Sequence, residues 1–549
     1  MKAKWKHLGR ASFASKRRFP AELQRGVARF AAGVGTRLRR AFLTLSAGAP
    51  GPAAVRLGWL SLGLVGLMAS LALCQEETVA QRASPSARQL VAAIETVVAD
   101  AIQRAERSVV AIARERQDVA GADFRFEFRP DPFGGRVLGV PESKPTDPDF
   151  IPREFASGVV IDSRGLILTA YHVLEEGCRY FVTTADRSVF EAWVKAADPR
   201  SDLAVLAVNR TDLVPIELGD AERLRKGQFV IALGNPYALA RDGRASASWG
   251  IVANLARKTP PLPTPGGGPG KTTLHHFGTL IQTDAKLNLG TSGGPLVDLD
   301  GRMIGLCVSL AALTGYEQAA GYAIPVDGMF RRALEALKEG REVEYGLLGI
   351  GPANLTGEER QRGLYGSRVS RVWPGTPAER YGLRAGDIIT AINDQPIYDA
   401  DTLMLAVGRQ PVGARVRLRV LRDGQPNELA VVLTKYPVKG RKVVSAPRPA
   451  WRGIEVDYPT GVLDPIQWGV LETPLLNYDD GVMVTKVEEN SPAWRAGLRP
   501  HHVISHVAGV RVRTPEEFQK AVAGRNGPVE CRLTAPQGRT RVITVPPEA

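Results

Sequence analysis

Three side chains, His172, Asp202 and Ser292, stand in an order and in contexts that suit the hydrolysis of a peptide bond. Ser292 lies in Gly290-Thr291-Ser292-Gly293-Gly294-Pro295. A serine hydroxyl is a weak nucleophile until a base takes its proton. The oxygen that turns negative also needs backbone N–H groups aimed at it, and Gly290 and Ser292 are the expected donors. Glycines around the serine permit the unusual backbone and let a substrate chain approach closely. The base is expected in His172, within LTAYHVL, and the orienting acid in Asp202, at the head of SDLAVLAV. The chain order His, Asp, Ser is that of the chymotrypsin-type triad.

Rival chemistries fit less well. The serine motif also satisfies G-x-S-x-G, but that nucleophile elbow leads into a helix and its triad runs Ser, acid, His. Ser292 leads instead into PLVDLDGRMIGL, where Asp300-Gly301 between apolar runs signals a hairpin. Gly270-Lys271-Thr272 is no phosphate loop, because position 265 is Pro. His275 and His276 adjoin a Pro/Gly-rich loop, and His501, His502 and His506 sit in the last domain. No metal site or cofactor is expected. Cys74, Cys178, Cys307 and Cys531 form no CxxC pair, and free thiols are expected.

The elements that position these residues are short β-rich runs: SGVVI, GLILTA, YFVTT, LAVLAV, QFVIALG and the hairpin. They predict an all-β barrel or sandwich. Residues 115–154 and 258–273 read as long loops. Before them, Leu90, Ile94, Val97, Val98 and Ile102 give a helical spacing, and Ser108–Ala113 a strand.

The charge is local. Residues 1–56 hold 13 basic and one acidic side chain, so they carry +12 of the chain's +14. The folded part is therefore near neutral and gives no sign of nucleic-acid binding. The 18 uncharged residues Leu57–Cys74 follow, about 27 Å long as a helix. Basic residues before the run and Glu76 and Glu77 after it predict a single-pass anchor with residues 1–56 in the cytoplasm.

The C-terminal third repeats itself. TPAERYGLRAGDIITAI (376–392) aligns with SPAWRAGLRPHHVISHV (491–507): Pro377, Gly382, Leu383 and Arg384 recur 115 residues on. LLGI (347–350) recurs as WRGI (451–454). The expected division is a basic tail 1–56, an anchor 57–74, a linker and helix 75–107, a protease domain 108–340, two repeat domains 341–437 and 450–549, and a linker 438–449.

The segments ASGVVID, GLILTAYHVL, DPRSDLAVLAV, ALGNPYAL, IQTDAKLNLGTSGGPLVD and GYAIP, followed by the two repeats, resemble the HtrA family of PDZ-containing serine proteases (DegP-, DegQ- and DegS-like). The resemblance covers about residues 88–549. It implies a mainly β chain, with a chymotrypsin-like double β-barrel and two PDZ domains, which follows the N-terminal transmembrane helix that the uncharged run at 57–74 predicts. It also implies a trimer-based oligomer, no cofactor, and unfolded or mislocalised envelope proteins as substrates, cut after small aliphatic residues. Loop 115–154 would reach a neighbouring subunit and loop 258–273 would switch the site. A PDZ domain adds a chain terminus as a strand and holds its carboxylate on backbone N–H groups. Leu348, Gly349 and Ile350 would form that loop, with Arg452, Gly453 and Ile454 the weaker copy. The chain departs from the family at Thr291, where Asn is usual, and at Lys286. Lys286 would favour acidic side chains if it reached the specificity pocket, and Leu287 is the expected lining residue. The second repeat has His501-His502 in place of Gly386-Asp387.

Two other functions fit the sequence: a membrane-tethered PDZ scaffold or holdase with little proteolysis, and a regulatory protease making one cut when triggered by C-terminal peptides. The two PDZ copies place the expected protein in a bacterial inner membrane, facing the periplasm. An Arg-rich, acid-poor leader is also the pattern of a mitochondrial transit segment.

Overall fold

The computed structural model describes residues 85–116, 124–127, 138–141, 154–235, 244–258, 273–308, 321–462, 481–534 and 540–548. The run at 57–74 and the basic segment before it lie outside the described residues. Among the described residues no helix is long and apolar enough to cross a membrane. The chain divides into two contact units after Ala93. Of the first, the described part is the start of one helix, Pro85–Glu106.

That helix is rich in Ala, Gln, Glu and Arg, all good helix formers. Its C-terminal half does more than link. Ala101 and Ala105 are buried in the core, and Val98 and Ile102 pack against it. Arg104 Nη1 donates to Asp300 O at 3.1 Å and pins the helix to the hairpin turn.

Two closed barrels follow. The first has strands Val109–Arg116, Glu154–Asp162, Leu166–Ala170, Cys178–Thr183, Val189–Asp198 and Leu203–Val208. It closes where Val189–Asp198 pairs with Leu203–Val208. Leu203–Val208 is buried along its whole length, which explains its unbroken apolar sequence. The second barrel has strands Phe229–Gly234, Ser246–Arg257, Leu280–Thr283, Pro295–Val297, Met303–Val308 and Gly321–Pro325. The predicted hairpin forms, pairing Pro295 with Leu306, and Gly301 takes φ +79° in its turn. The expected loop 115–154 carries a short ladder, Phe124–Glu127 against Leu138–Pro141.

The repeat is visible as two sheets of identical topology. In the first, Ile350–Asn354 is an edge strand against Ser367–Val372, with Ile388–Ile392, Arg415–Arg422 and Gln425–Val432 beyond. In the second, Ile454–Asp457, Val482–Val487, Val503–Val507, Val529–Thr534 and Thr540–Val545 run in the same order. The stretch 438–449, expected as a plain linker, docks on the first barrel. Val443 and Val444 pair with Ala197 and Ala196 as an added edge strand. Two β-branched residues suffice because the end of Val189–Asp198 that runs past Cys178–Thr183 supplies the partner.

Candidate active site and peptide-binding loops

His172 sits in a one-turn 3-10 helix, Tyr171–Val173, immediately after the buried strand Leu166–Ala170. Asp202 precedes the strand Leu203–Val208, which pairs with Leu166–Ala170 through Ala170 and Leu203. The two side chains therefore leave adjacent strand ends. His172 Nδ1 lies 2.8 Å from Asp202 Oδ2 and 3.1 Å from Oδ1. Asp202 Oδ1 also accepts from the His172 backbone N–H at 3.0 Å, and Asp202 O from Tyr171 N–H at 2.9 Å. Asp202 itself takes φ +56°, a left-handed conformation that Asp tolerates better than most residues. Its side chain is only 8% exposed, whereas that of His172 is 29% exposed.

Electrostatics follow from this geometry. Burial pushes the His172 imidazole down, but the charge and hydrogen bond of Asp202 outweigh it, and the net shift is upward. Burial pushes the Asp202 carboxyl up, and the imidazole outweighs that too, so the acid is held below the usual carboxylate range. The imidazole is thus oriented, with Nε2 turned away from the carboxylate.

Ser292 comes from the second barrel, on the turn between Leu280–Thr283 and Pro295–Val297. The turn is locked to the first barrel. Ser292 O accepts from Ser157 N–H at 2.9 Å, Gly290 O from Ser157 Oγ at 2.6 Å, and Ser157 O from Thr169 Oγ1 at 2.9 Å. Thr169 stands three residues before His172, so this chain of bonds ties the serine turn to the histidine strand. Gly293 takes φ +85°, and a Cβ there would lie 2.2 Å from Ser157 O and 2.3 Å from Thr169 Oγ1. Gly290 takes φ +94°, and a Cβ there would meet Asn235 O at 2.5 Å. The glycines are required by close approach, as their sequence context implied. Among the described residues the Gly290 N–H finds no acceptor, which leaves it available to an incoming oxygen.

Of the two residues expected at the specificity pocket, Lys286 is exposed, its N–H held by Ser248 Oγ at 2.8 Å. Leu287 is half-buried against the second-barrel core, next to Gly321. His275 and His276 are buried in the 3-10 helix Leu274–Phe277. His275 Nε2 lies 2.8 Å from Ser201 O, and burial pushes its imidazole down. Cys178, Cys307 and Cys531 are free thiols. Among the described residues no cluster could hold a metal ion.

The two candidate peptide-binding loops correspond in their bonding. Gly349 and Gly453 take φ +88° and +85°, against Thr376 and Ser491 respectively. Gly349 O accepts from Trp373 N–H at 3.0 Å, and Gly453 O from Glu488 N–H at 2.7 Å. Beyond this they diverge. Leu348 is buried in an apolar core. Arg452, at the matching place, donates through Nη1 to Val545 O and Pro546 O, and through Nη2 to Arg525 O and Gly527 O, at 2.6–2.9 Å. All four bonds hold the second domain's own chain, so the guanidinium is committed to the fold. Arg452→Met is expected to destabilise that domain by about 2 kcal/mol, read as a lower thermal midpoint with the rest of the molecule unchanged. The second groove is also crossed by the chain itself. Between the strand Ile454–Asp457 and the helix Pro515–Val522, Arg448 bonds Asp457 at 3.4 Å and Glu516 at 3.0 Å, and Gln519 Nε2 donates to Pro449 O at 2.8 Å.

Comparison with known proteins agrees with this layout. Residues 156–306 match the trypsin-like peptidase domain, and residues 346–433 and 483–533 match PDZ domains. The chain is similar to the periplasmic serine endoprotease DegP of Salmonella typhimurium, 32% identical across 66% of this chain and 70% of that protein. The chain belongs to the HtrA family of PDZ-containing serine proteases. It is a serine-type endopeptidase with a trypsin-like domain of two barrels and two PDZ domains. It is likewise similar to the periplasmic pH-dependent serine endoprotease DegQ of Escherichia coli, 31% identical across 67% of this chain and 75% of that protein. Among solved structures, the HtrA-type protease AlgW with decapeptide is 28% identical over 62% of this chain and 99% of that one, with a TM-score of 0.46.

Proposed function

We propose that this HtrA-family protease cleaves unfolded or mislocalised envelope proteins with Ser292 as nucleophile, His172 as general base and Asp202 as the residue that fixes the imidazole. The observation that carries the reading is the 2.8 Å contact between His172 Nδ1 and the buried Asp202 carboxylate, beside a serine turn bonded to the histidine strand. His172 takes the Ser292 proton as the hydroxyl attacks the scissile carbonyl. The N–H groups of Gly290 and Ser292 receive the oxyanion. His172 then protonates the leaving amine, and water hydrolyses the acyl-enzyme by the same route. Leu287 lines the specificity pocket, and Lys286, being exposed, is the lesser candidate.

Leu348, Gly349 and Ile350 receive a C-terminal carboxylate, and the edge strand Ile350–Asn354 takes the peptide as an added strand. The copy at Arg452, Gly453 and Ile454 binds more weakly, because Arg448 and Pro449 already bond its edge strand and helix. Residues 57–74 anchor the chain in a bacterial inner membrane, with the protease domain (108–340) and the PDZ domains (341–437 and 450–549) in the periplasm and a trimer-based assembly. The family resemblance and the flanking charges support this placement.

A fluorophosphonate probe tests the site directly. The wild-type protein, presented with an unfolded substrate or a C-terminal peptide, is expected to carry one adduct on Ser292. An adduct on another serine, or none under any activating condition, would remove the reading and favour a peptide-binding scaffold.

A further inference from the structure

The turn that carries Asp202 is gripped from below by residues at the root of the first PDZ domain. Asp198, four residues before Asp202, is fully buried, and its Oδ2 accepts from Ser201 N–H at 2.8 Å and Ser201 Oγ at 2.6 Å. The same oxygen accepts from the hydroxyl of Tyr345, which is itself fully buried. Asp198 Oδ1 finds no partner among the described residues, so the whole grip passes through one oxygen. Tyr345 immediately precedes the strand Gly346–Leu347, whose partner Thr434–Lys435 brings the chain back out of the domain to Tyr436. Tyr436 N–H donates to Tyr345 O at 2.8 Å, and the Tyr436 ring lies 3.7 Å from the Arg200 guanidinium carbon. Both crossings of the chain into and out of the PDZ domain therefore close on the Asp198–Asp202 turn.

We propose that Tyr345 is a positioning residue for the peptidase reaction: through Asp198 and Ser201 it fixes the left-handed backbone that aims Asp202 at His172. The inference rests on Asp202 being the orienting carboxylate. Ser201 and Asp202 are consecutive, so a shift of the Ser201 N–H moves the next φ, and Asp202 has little freedom at φ +56°. Its carbonyl and both carboxylate oxygens are committed to Tyr171 and His172. Small misplacements of an orienting group are costly in rate. Burial alone pushes the Asp198 carboxyl up, and its three donors oppose that. Loss of the Tyr345 donor weakens the anchor without touching substrate.

The test measures kcat and KM for labelled casein on the full-length protein, for Tyr345→Phe, Ser201→Ala and Tyr436→Phe. Tyr436→Phe alters the same seam without a hydrogen bond to Asp198. The expected result is a kcat about tenfold lower for Tyr345→Phe and Ser201→Ala, with KM within about twofold of wild type and kcat retained in Tyr436→Phe. An unchanged kcat in Tyr345→Phe, or equal losses in Tyr345→Phe and Tyr436→Phe, would overturn the proposal. If Tyr345→Phe does not fold, an unchanged kcat in Ser201→Ala would overturn it as well. Asp202→Asn is assayed in parallel. Full turnover there would instead sink the triad assignment.

Discussion

Ser292→Ala is expected to lower casein turnover by about a millionfold, and Asp202→Asn by about ten-thousandfold. The second variant is the more informative, because it leaves nucleophile and base in place. The amide that replaces the carboxylate can still accept a hydrogen bond but carries no charge, so it neither stabilises the imidazolium nor fixes one tautomer. The pH profile follows with a definite sign. In the wild type the Asp202 charge holds the His172 imidazole above its ordinary value. The base must be neutral to act, so kcat/KM is expected to rise with pH through a point above about 6.5. Without the carboxylate only burial remains, and burial lowers an imidazole. The acidic limb is then expected at lower pH even as the plateau collapses. A residual activity in Asp202→Asn whose limb does not move would mean that the carboxylate does not control the imidazole.

The candidate site was legible in the sequence because each member sits in a local context with its own physical signature. Gly290 and Gly293 must be glycine, since a Cβ at either would collide with neighbouring backbone. His172 and Asp202 flank apolar runs that turn out to be paired strands. The Asp300-Gly301 hairpin and the 115-residue repeat were legible for the same reason: turn chemistry and periodicity are local. What escaped was long-range. Asp198 opens the segment DPRSDLAVLAV, but its partner Tyr345 is 147 residues away. Nothing in the residues around Tyr345 marks it as a donor to a buried acid. The strand Val443–Val444 escaped because two residues among Lys, Arg and Pro carry no strand pattern. Its pairing is decided by the edge at Ala196–Ala197. The bonds of the Arg452 side chain are long-range too: its place in the repeat puts it in the expected second peptide-binding loop, and the four carbonyls that its guanidinium holds come from the far end of the same domain.

Lys435→Met is expected to release the second PDZ domain from the rest of the protein, with a loss of about 3–5 kcal/mol. Lys435 is 1% exposed and touches three carboxylates: Asp457 at 2.7 Å, Glu342 at 2.8 Å and Glu344 at 3.2 Å. The three acids come from two stretches of chain. Glu342 and Glu344 lead into the first PDZ domain, and Asp457 lies on the edge strand of the second. Beside them, Thr434 and Thr460 share a buried hydrogen bond of 3.0 Å. Lys442 and Arg448 add charge from the connecting segment, on Glu342 at 2.5 Å and on Glu344 at 2.6 Å. Burial pushes the Lys435 ammonium down, but the three acids outweigh it and hold it protonated. Burial likewise pushes Glu342 up, and Lys435 and Lys442 outweigh that, leaving it below the usual range. Methionine preserves the apolar stem and leaves the acids facing two cations instead of three. The expected outcome is a separate, lower-temperature transition in calorimetry and new proteolytic cleavage within 438–449. The sign with pH is fixed by the depressed Glu342: its contribution is present above its unfolded value, about 4.3, and fades as pH falls through the lower folded value. The gap between wild type and Lys435→Met should therefore close in acid. Ser292 labelling should survive the substitution, since the cluster makes no contact with the triad. Loss of labelling together with the PDZ transition would mean instead that docking of the second domain holds the active site in shape.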